Sequence, residues 1–327
     1  MRALLFAMVG ICLIGAPAAA GSKPPCQDRY DLPYVFDVGL CPEMVLEDFN
    51  TQGDLAAVSS LAFTPEGALY FTSPGRRAVY RLPPDGKGFF GAPELVATLP
   101  EAPFGLACAA DEDACYVAAE QSIFRLAAEG AVQLIYRDSE VRWHGELHIG
   151  ADGRLYVARN TAKGADLLSL ERDGSAARLE TMGLRQVFGF TWHADALIIA
   201  DAAESALYSL RRGTLSRLVQ LPVHSAPHGV LYYPSGAMAQ WQDGLFVALS
   251  GSWNATTLSG YAIYWLKPEQ PSAYQQIIPS YFGLSAEMLA LRRVSFHPLQ
   301  LMSIATDGNG WLYTALAEGY IYRFRPR

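Results

Sequence analysis

The sequence predicts an all-β domain, a six-bladed β-propeller closed by pairing an N-terminal strand with the last blade, and three observations carry that prediction. The chain repeats a unit of strands: first strands begin at Ser60 (SLAF), Gly105 (GLAC), Gly145 (GELHIG), Gly189 (GFTWH), Gly229 (GVLYY) and Gln300 (QLMSIA), at intervals of 45, 40, 44, 40 and 71 residues. The 327 residues hold 29 glycines, 20 prolines and 12% aromatics, which suits many short strands and turns better than a helical bundle. Finally, the chain runs out directly after the third strand of the sixth unit, which leaves that blade one strand short.

Each element follows in order. Arg2, the apolar run Leu4 to Ile14 and the small residues Ala18-Ala19-Ala20 read as a signal peptide cleaved after Ala20. The run is too short, and too soon broken by Pro17, to span a bilayer, so nothing membrane-spanning is expected after cleavage, and the expected location is periplasmic or secreted. Residues 21–43 form a proline-rich segment, and 44–327 the propeller. Cys12 falls inside the signal. The remaining Cys26, Cys41, Cys108 and Cys115 are an even number in an exported chain and point to disulfides, of which two local bridges are the simplest of three pairings.

Second strands follow turns at Pro65-Glu66-Gly67, Asp152-Gly153, Ala194-Asp195, Asp243-Gly244 and Asp307-Gly308. Third strands read AVYRL, SIFRL, LLSLE, ALYSL, AIYWL and YIYRF, and fourth strands ELVATL, VQLIY, ARLETM and RLVQLP. The 71-residue interval holds the loop and third strand of blade five, a fourth strand at Gln275 to Ser280, and a leucine-rich insertion from Gly283 to Arg293. A seventh blade or a β-sandwich are the alternatives, but a sandwich would not repeat a whole four-strand unit. Met44 to Phe49 supplies the missing strand, because a closed ring removes the exposed edge.

A net charge of −7 excludes a nucleic-acid partner on electrostatic grounds. In a propeller, residues just before or at the start of first strands surround a central funnel, which selects Ser59, Phe104, Arg142, His144, Arg185, Gln186, His228 and His297.

Three stretches carry a family resemblance. Ala226-Pro227-His228-Gly229, Gly244 to Leu249, Gly251-Ser252-Trp253-Asn254 and Gly260-Tyr261 follow the order of one blade. Gly183-Leu184-Arg185-Gln186-Val187-Phe188-Gly189-Phe190-Thr191-Trp192-His193 leads into blade four, and Trp143-His144-Gly145-Glu146-Leu147-His148-Ile149-Gly150-Ala151-Asp152-Gly153 into blade three. Together they resemble the pyrroloquinoline-quinone (PQQ) dependent sorbosone and aldose dehydrogenases. The resemblance implies an exported enzyme that oxidises a sugar or aldehyde, with hydride passing to PQQ and onward to an electron acceptor. It assigns Arg185 and Gln186 to the quinone, with His228, Trp253, Asn254 and His297 as further cofactor contacts, and His144 as the base, facing Arg185 across the funnel. A gap-free alignment instead puts Arg142 at the base position, where a guanidinium cannot accept a proton.

The sequence departs from the family at Ser59, Ser250 and His297. It also lacks the oxygen-rich insertion after Asp201, which makes bound calcium doubtful and leaves any metal site unassigned. A second reading is therefore a propeller that kept the shell and lost the chemistry, acting as a binding or interaction module. A metal-dependent lactonase is a third, but it would need carboxylate and asparagine ligands pointing into the funnel, and Glu146 and Asp201 are the only acidic residues expected to be so placed.

Overall fold

The computed structural model describes residues 26, 39–49, 55–127, 129–234, 236, 238–251, 259–278 and 300–327. The signal peptide, the Gly283 to Arg293 insertion, Trp253, Asn254 and His297 lie outside these residues.

Twenty-four strands form six four-stranded antiparallel sheets. Blade one holds β2 (Leu61–Phe63), β3 (Leu69–Ser73), β4 (Ala78–Leu82) and β5 (Glu94–Thr98). Blade two holds β6 (Pro103–Cys108), β7 (Ala114–Ala119), β8 (Ser122–Ala127) and β9 (Val132–Arg137). Blade three holds β10 (Val141–Ile149), β11 (Leu155–Thr161), β12 (Gly164–Leu170) and β13 (Arg178–Leu184). Blade four holds β14 (Val187–His193), β15 (Ala196–Asp201), β16 (Ala206–Arg211) and β17 (Thr214–Gln220). Blade five holds β18 (Pro227–Tyr233), β19 (Gly244–Leu249), β20 (Ala262–Lys267) and β21 (Gln270–Ile278). Blade six joins the two ends of the chain, in the order β1 (Leu40–Leu46), β24 (Tyr320–Pro326), β23 (Leu312–Leu316) and β22 (Leu301–Thr306).

The apolar alternation in the middle strands buries side chains between neighbouring blades rather than in one central core. Ile198, Ala200 and Leu207 of blade four, for example, pack with Val230, Val247 and Tyr264 of blade five. The inner strands meet more closely still. A Cβ on Gly145 would lie 2.7 Å from the Val187 carbonyl oxygen and 2.8 Å from that of Phe188, and one on Gly229 would lie 3.0 Å from the Ile304 nitrogen. The glycine recurring near the start of four first strands is therefore a spacer: without a side chain, each inner strand can approach the backbone of the next.

Several strand boundaries differ from the sequence reading, and two of them concern outer strands. Blade five's outer strand begins at Gln270 rather than Gln275, because Lys267 pairs with Gln270 across a tight turn at Pro268-Glu269. The closing strand is Leu40–Leu46 rather than Met44 to Phe49, pairing from Leu40 with Pro326 to Leu46 with Ile321. Pro42 is tolerated there because β1 is the outer strand of its sheet. What sets the register is Glu43. Its side chain is buried and accepts hydrogen bonds from Arg323 (Nε to Oε2, 2.8 Å) and Arg325 (Nε to Oε1, 2.6 Å). Arg323 also lies over the rings of Phe89 and Trp311. The Cys26–Cys41 disulfide fastens the same strand, and Cys108–Cys115 joins β6 to β7. No helix among the described residues is long and apolar enough to cross a membrane.

Candidate functional site

A cavity of about 650 Å³ opens on the propeller face where the chain enters the inner strands. One local device builds most of its wall. In β6, Pro103 pairs with Ala119 and Gly105 with Ala118, so Phe104 is an extra residue without a partner. The same slip leaves Arg142 extra in β10, Phe188 in β14, His228 in β18 and Met302 in β22. A bulge re-aims the side chain it carries, and all five of these residues line the cavity.

Blade three carries a second bulge. His144 pairs with Arg159 and Leu147 with Val157, so Gly145 and Glu146 together face Ala158. Gly145 keeps the close approach to blade four, while the extra residue, Glu146, reaches the cavity. The positions matching the glycine in blades one and six are Ser60 and Ser303, opposite Thr72 and Ala315. Both serines are buried. Ser60 Oγ donates to Glu146 Oε1 at 2.8 Å, and Ser303 Oγ lies 3.5 Å from the same oxygen.

Among the described residues the charged lining is mainly carboxyl: Glu120, Glu146 and Glu318, against the guanidinium of Arg142 at the exposed rim. Burial pushes Glu146 up to about 8, with the Ser60 and Ser303 contacts acting in the opposite direction. Burial also holds Glu318 above the usual carboxylate range, although it accepts the Gln300 backbone N–H at 3.1 Å. His228 is pushed down to about 3 by burial and stays neutral, its Nδ1 without a partner among the described residues. Its ring stacks on Phe188 at 3.8 Å, and Phe188 stacks in turn on Trp143 at 6.5 Å, which gives one side of the cavity an aromatic wall.

Of the residues selected from sequence, the cavity gathers Ser59, Phe104, Arg142 and His228. His144 and Arg185 do not line it and do not face each other across it. His144 is fully buried between blades, with Nδ1 donating to the Ala119 carbonyl at 2.9 Å, and burial pushes it down to about 4. The two bulges of β10 explain this: they turn Arg142 and Glu146 inward and leave His144 between them pointing into the packing. Arg185 has a side chain that is 73% exposed and pairs with Glu204 at 2.6 Å. Its backbone N–H and that of Gln186 are tied to the Asp201 carboxylate at 2.8 and 3.3 Å, which holds this link at the rim. That role also consumes Asp201, and the described residues contain no cluster of acidic, histidine or cysteine side chains able to hold a metal ion. Trp143, Phe188, Met302, Glu120 and Glu318 were missed by the sequence rule. The signal that finds Phe188 is its place directly before the inner-strand glycine, the position that Phe104 and His228 share.

Comparison with known proteins places this geometry among propellers. The PQQ domain of pyranose dehydrogenase from Coprinopsis cinerea superposes with a TM-score of 0.69 at 13% identity, covering 93% of this chain and 98% of that one. The PQQ-bound aldose sugar dehydrogenase from Streptomyces coelicolor gives 0.63 at 15% identity over 90% and 100%. Virginiamycin B lyase from Staphylococcus aureus gives 0.57 at 14% identity over 93% and 98%. The chain shares their propeller fold. At these identities the likeness is one of fold, and it extends across enzymes of different chemistry. A family model described as strictosidine synthase-like, N-terminal, matches only residues 303–324, within the three chain-consecutive strands of blade six. No curated protein matches the sequence.

Proposed function

We propose that this protein is a propeller that takes a small neutral sugar or related polyhydroxylated aldehyde into its funnel, without a quinone held by the described residues. The observation that carries this reading is the composition of the lining. PQQ is a flat tricyclic ortho-quinone with three carboxylates, so a site for it needs several cationic or N–H donors. The described cavity offers three carboxyl groups and one rim guanidinium; of the residues that the family resemblance puts on the quinone and the substrate, Arg185 and His144 lie outside it, His228 lines it, and Trp253, Asn254 and His297 lie outside the described residues. The described residues do not fit that group. A neutral polyol suits the lining better: the aromatic wall of Trp143, Phe188 and His228 offers an apolar face, and the carboxyl groups pair with hydroxyls. The volume is in the range of small-molecule sites. The sugar dehydrogenases among the fold relatives favour the same ligand class. The disulfides suit export into an oxidising compartment, where free sugars are met.

Tryptophan fluorescence tests the reading, since Trp143 lines the cavity. Titration with D-glucose, D-galactose or D-xylose is expected to change the emission of the native chain and to leave that of Trp143→Phe unchanged. D-glucuronate, which adds a carboxylate to the same ring, is expected to bind at least about tenfold more weakly than D-glucose, because the described lining offers that carboxylate one rim guanidinium and no other cation. Stronger binding of glucuronate than of glucose would sink the proposal.

A further inference from the structure

We propose that Glu146, aimed into the funnel by the second bulge of β10 and seated between Ser60 and Ser303, is the specificity-determining contact for the ligand, meeting one of its hydroxyls as both donor and acceptor. The inference rests on the sugar-binding reading above and names the group that reads the ligand.

Four observations support it. The bulge gives Glu146 a place that no inner-strand residue of another blade has, since the matching positions are glycine or serine. The two serines come from blades one and six, and both approach Oε1. Oε2 has no hydrogen-bond partner among the described residues, and it is not one of the buried atoms left unsatisfied, so it is open to the cavity. A carboxyl whose Oε1 already receives the Ser60 hydroxyl hydrogen places its own proton on Oε2. Burial keeps that proton in place up to about pH 8. The neutral group therefore presents an O–H donor and a lone pair to a ligand hydroxyl, and on losing the proton it becomes an acceptor only.

The other groups facing this point include one carboxyl, Glu318, shifted in the same direction, so it is the Glu146→Gln profile that assigns an alkaline fall to Glu146. Ser60 of blade one and Ser303 of blade six are hydroxyls, and His228 of blade five is neutral well below pH 7. Arg142 of blade three contributes a guanidinium at the rim. Glu120 and Glu318 stand in the β7–β8 and β23–β24 turns; burial holds Glu318 above the usual carboxylate range. The sign follows directly. Affinity should be flat in the range where Glu146 is protonated, fall once it ionises above about 8, and level off up to about tenfold lower, where the group only accepts.

The experiment is a D-glucose titration, read by Trp143 fluorescence from about pH 6 to about pH 10, on the native chain, Glu146→Gln and Glu146→Leu. Glutamine keeps a donor and an acceptor in the same space but cannot ionise, so E146Q should match the native affinity within about threefold at low pH and lose the alkaline fall. E146L, an apolar replacement that also takes the acceptor from the Ser60 and Ser303 hydroxyls, should bind roughly tenfold or more weakly than the native chain at low pH, because a ligand hydroxyl goes unpaired. A native profile that stays flat across the range, an E146Q profile that still falls, or an E146L affinity equal to the native one would each overturn the proposal while leaving sugar binding intact. A native chain that binds none of the three sugars would remove the sugar reading, and this inference with it.

Discussion

Replacing Glu43 by alanine is expected to destabilise the domain by about 3–5 kcal/mol, the cost of leaving buried charge without its partner. The expectation comes from the closure of the ring. Glu43 sits on β1 and both of its partners, Arg323 and Arg325, sit on β24; all three side chains are buried. Removing the carboxylate takes from two buried guanidinium groups the charge partner they share, on the strand that closes the propeller. If β1 then lets go, β24 becomes an unpaired edge, so the variant should also aggregate more readily. Urea denaturation measures the loss. A change below about 1 kcal/mol would place the latch elsewhere.

The second large effect concerns the close approach of blades three and four. Gly145→Ala should cost about 1–3 kcal/mol, because its Cβ would fall 2.7 and 2.8 Å from two backbone oxygens, which cannot move without shifting the blade. It should also weaken ligand binding, since Phe188 of the cavity wall is one of the two residues displaced. Gly308→Ala is the control. A Cβ there meets nothing within 4 Å, so the same chemical change should stay within about 0.5 kcal/mol of the native stability. Equal effects at the two positions would show that backbone crowding is not what the inner-strand glycines relieve.

The architecture was legible because its causes are local and repeated. Turn residues such as Asp152-Gly153 and Asp307-Gly308 mark hairpins, and the glycine that opens four first strands recurs because each inner strand meets the same steric demand. The site was legible only in part, because a bulge is a slip of one residue. Counting along the chain cannot tell that Arg142 is extra in β10, nor that Gly145 and Glu146 share one partner. Those two slips decide that Glu146 rather than His144 enters the cavity. Arg185 was misplaced for a different reason: its surroundings are set by Asp201 and Glu204, sixteen and nineteen residues away across β14 and β15. Glu43 gave no sign of its role, since a carboxylate in a proline-rich segment reads as solvated until the strand carrying two arginines is laid beside it.

The funnel is proposed to hold a neutral ligand itself rather than a quinone. Absorbance titration of the chain lacking residues 1–20 with PQQ, in the presence and absence of calcium and followed by addition of D-glucose, tests it most directly. The lining of three carboxyl groups and one rim arginine predicts no binding at micromolar PQQ and no sugar-dependent reduction, with Arg185→Ala indistinguishable from the native chain. Stoichiometric uptake of PQQ that is reduced on adding the sugar, and that weakens in Arg185→Ala, would contradict it.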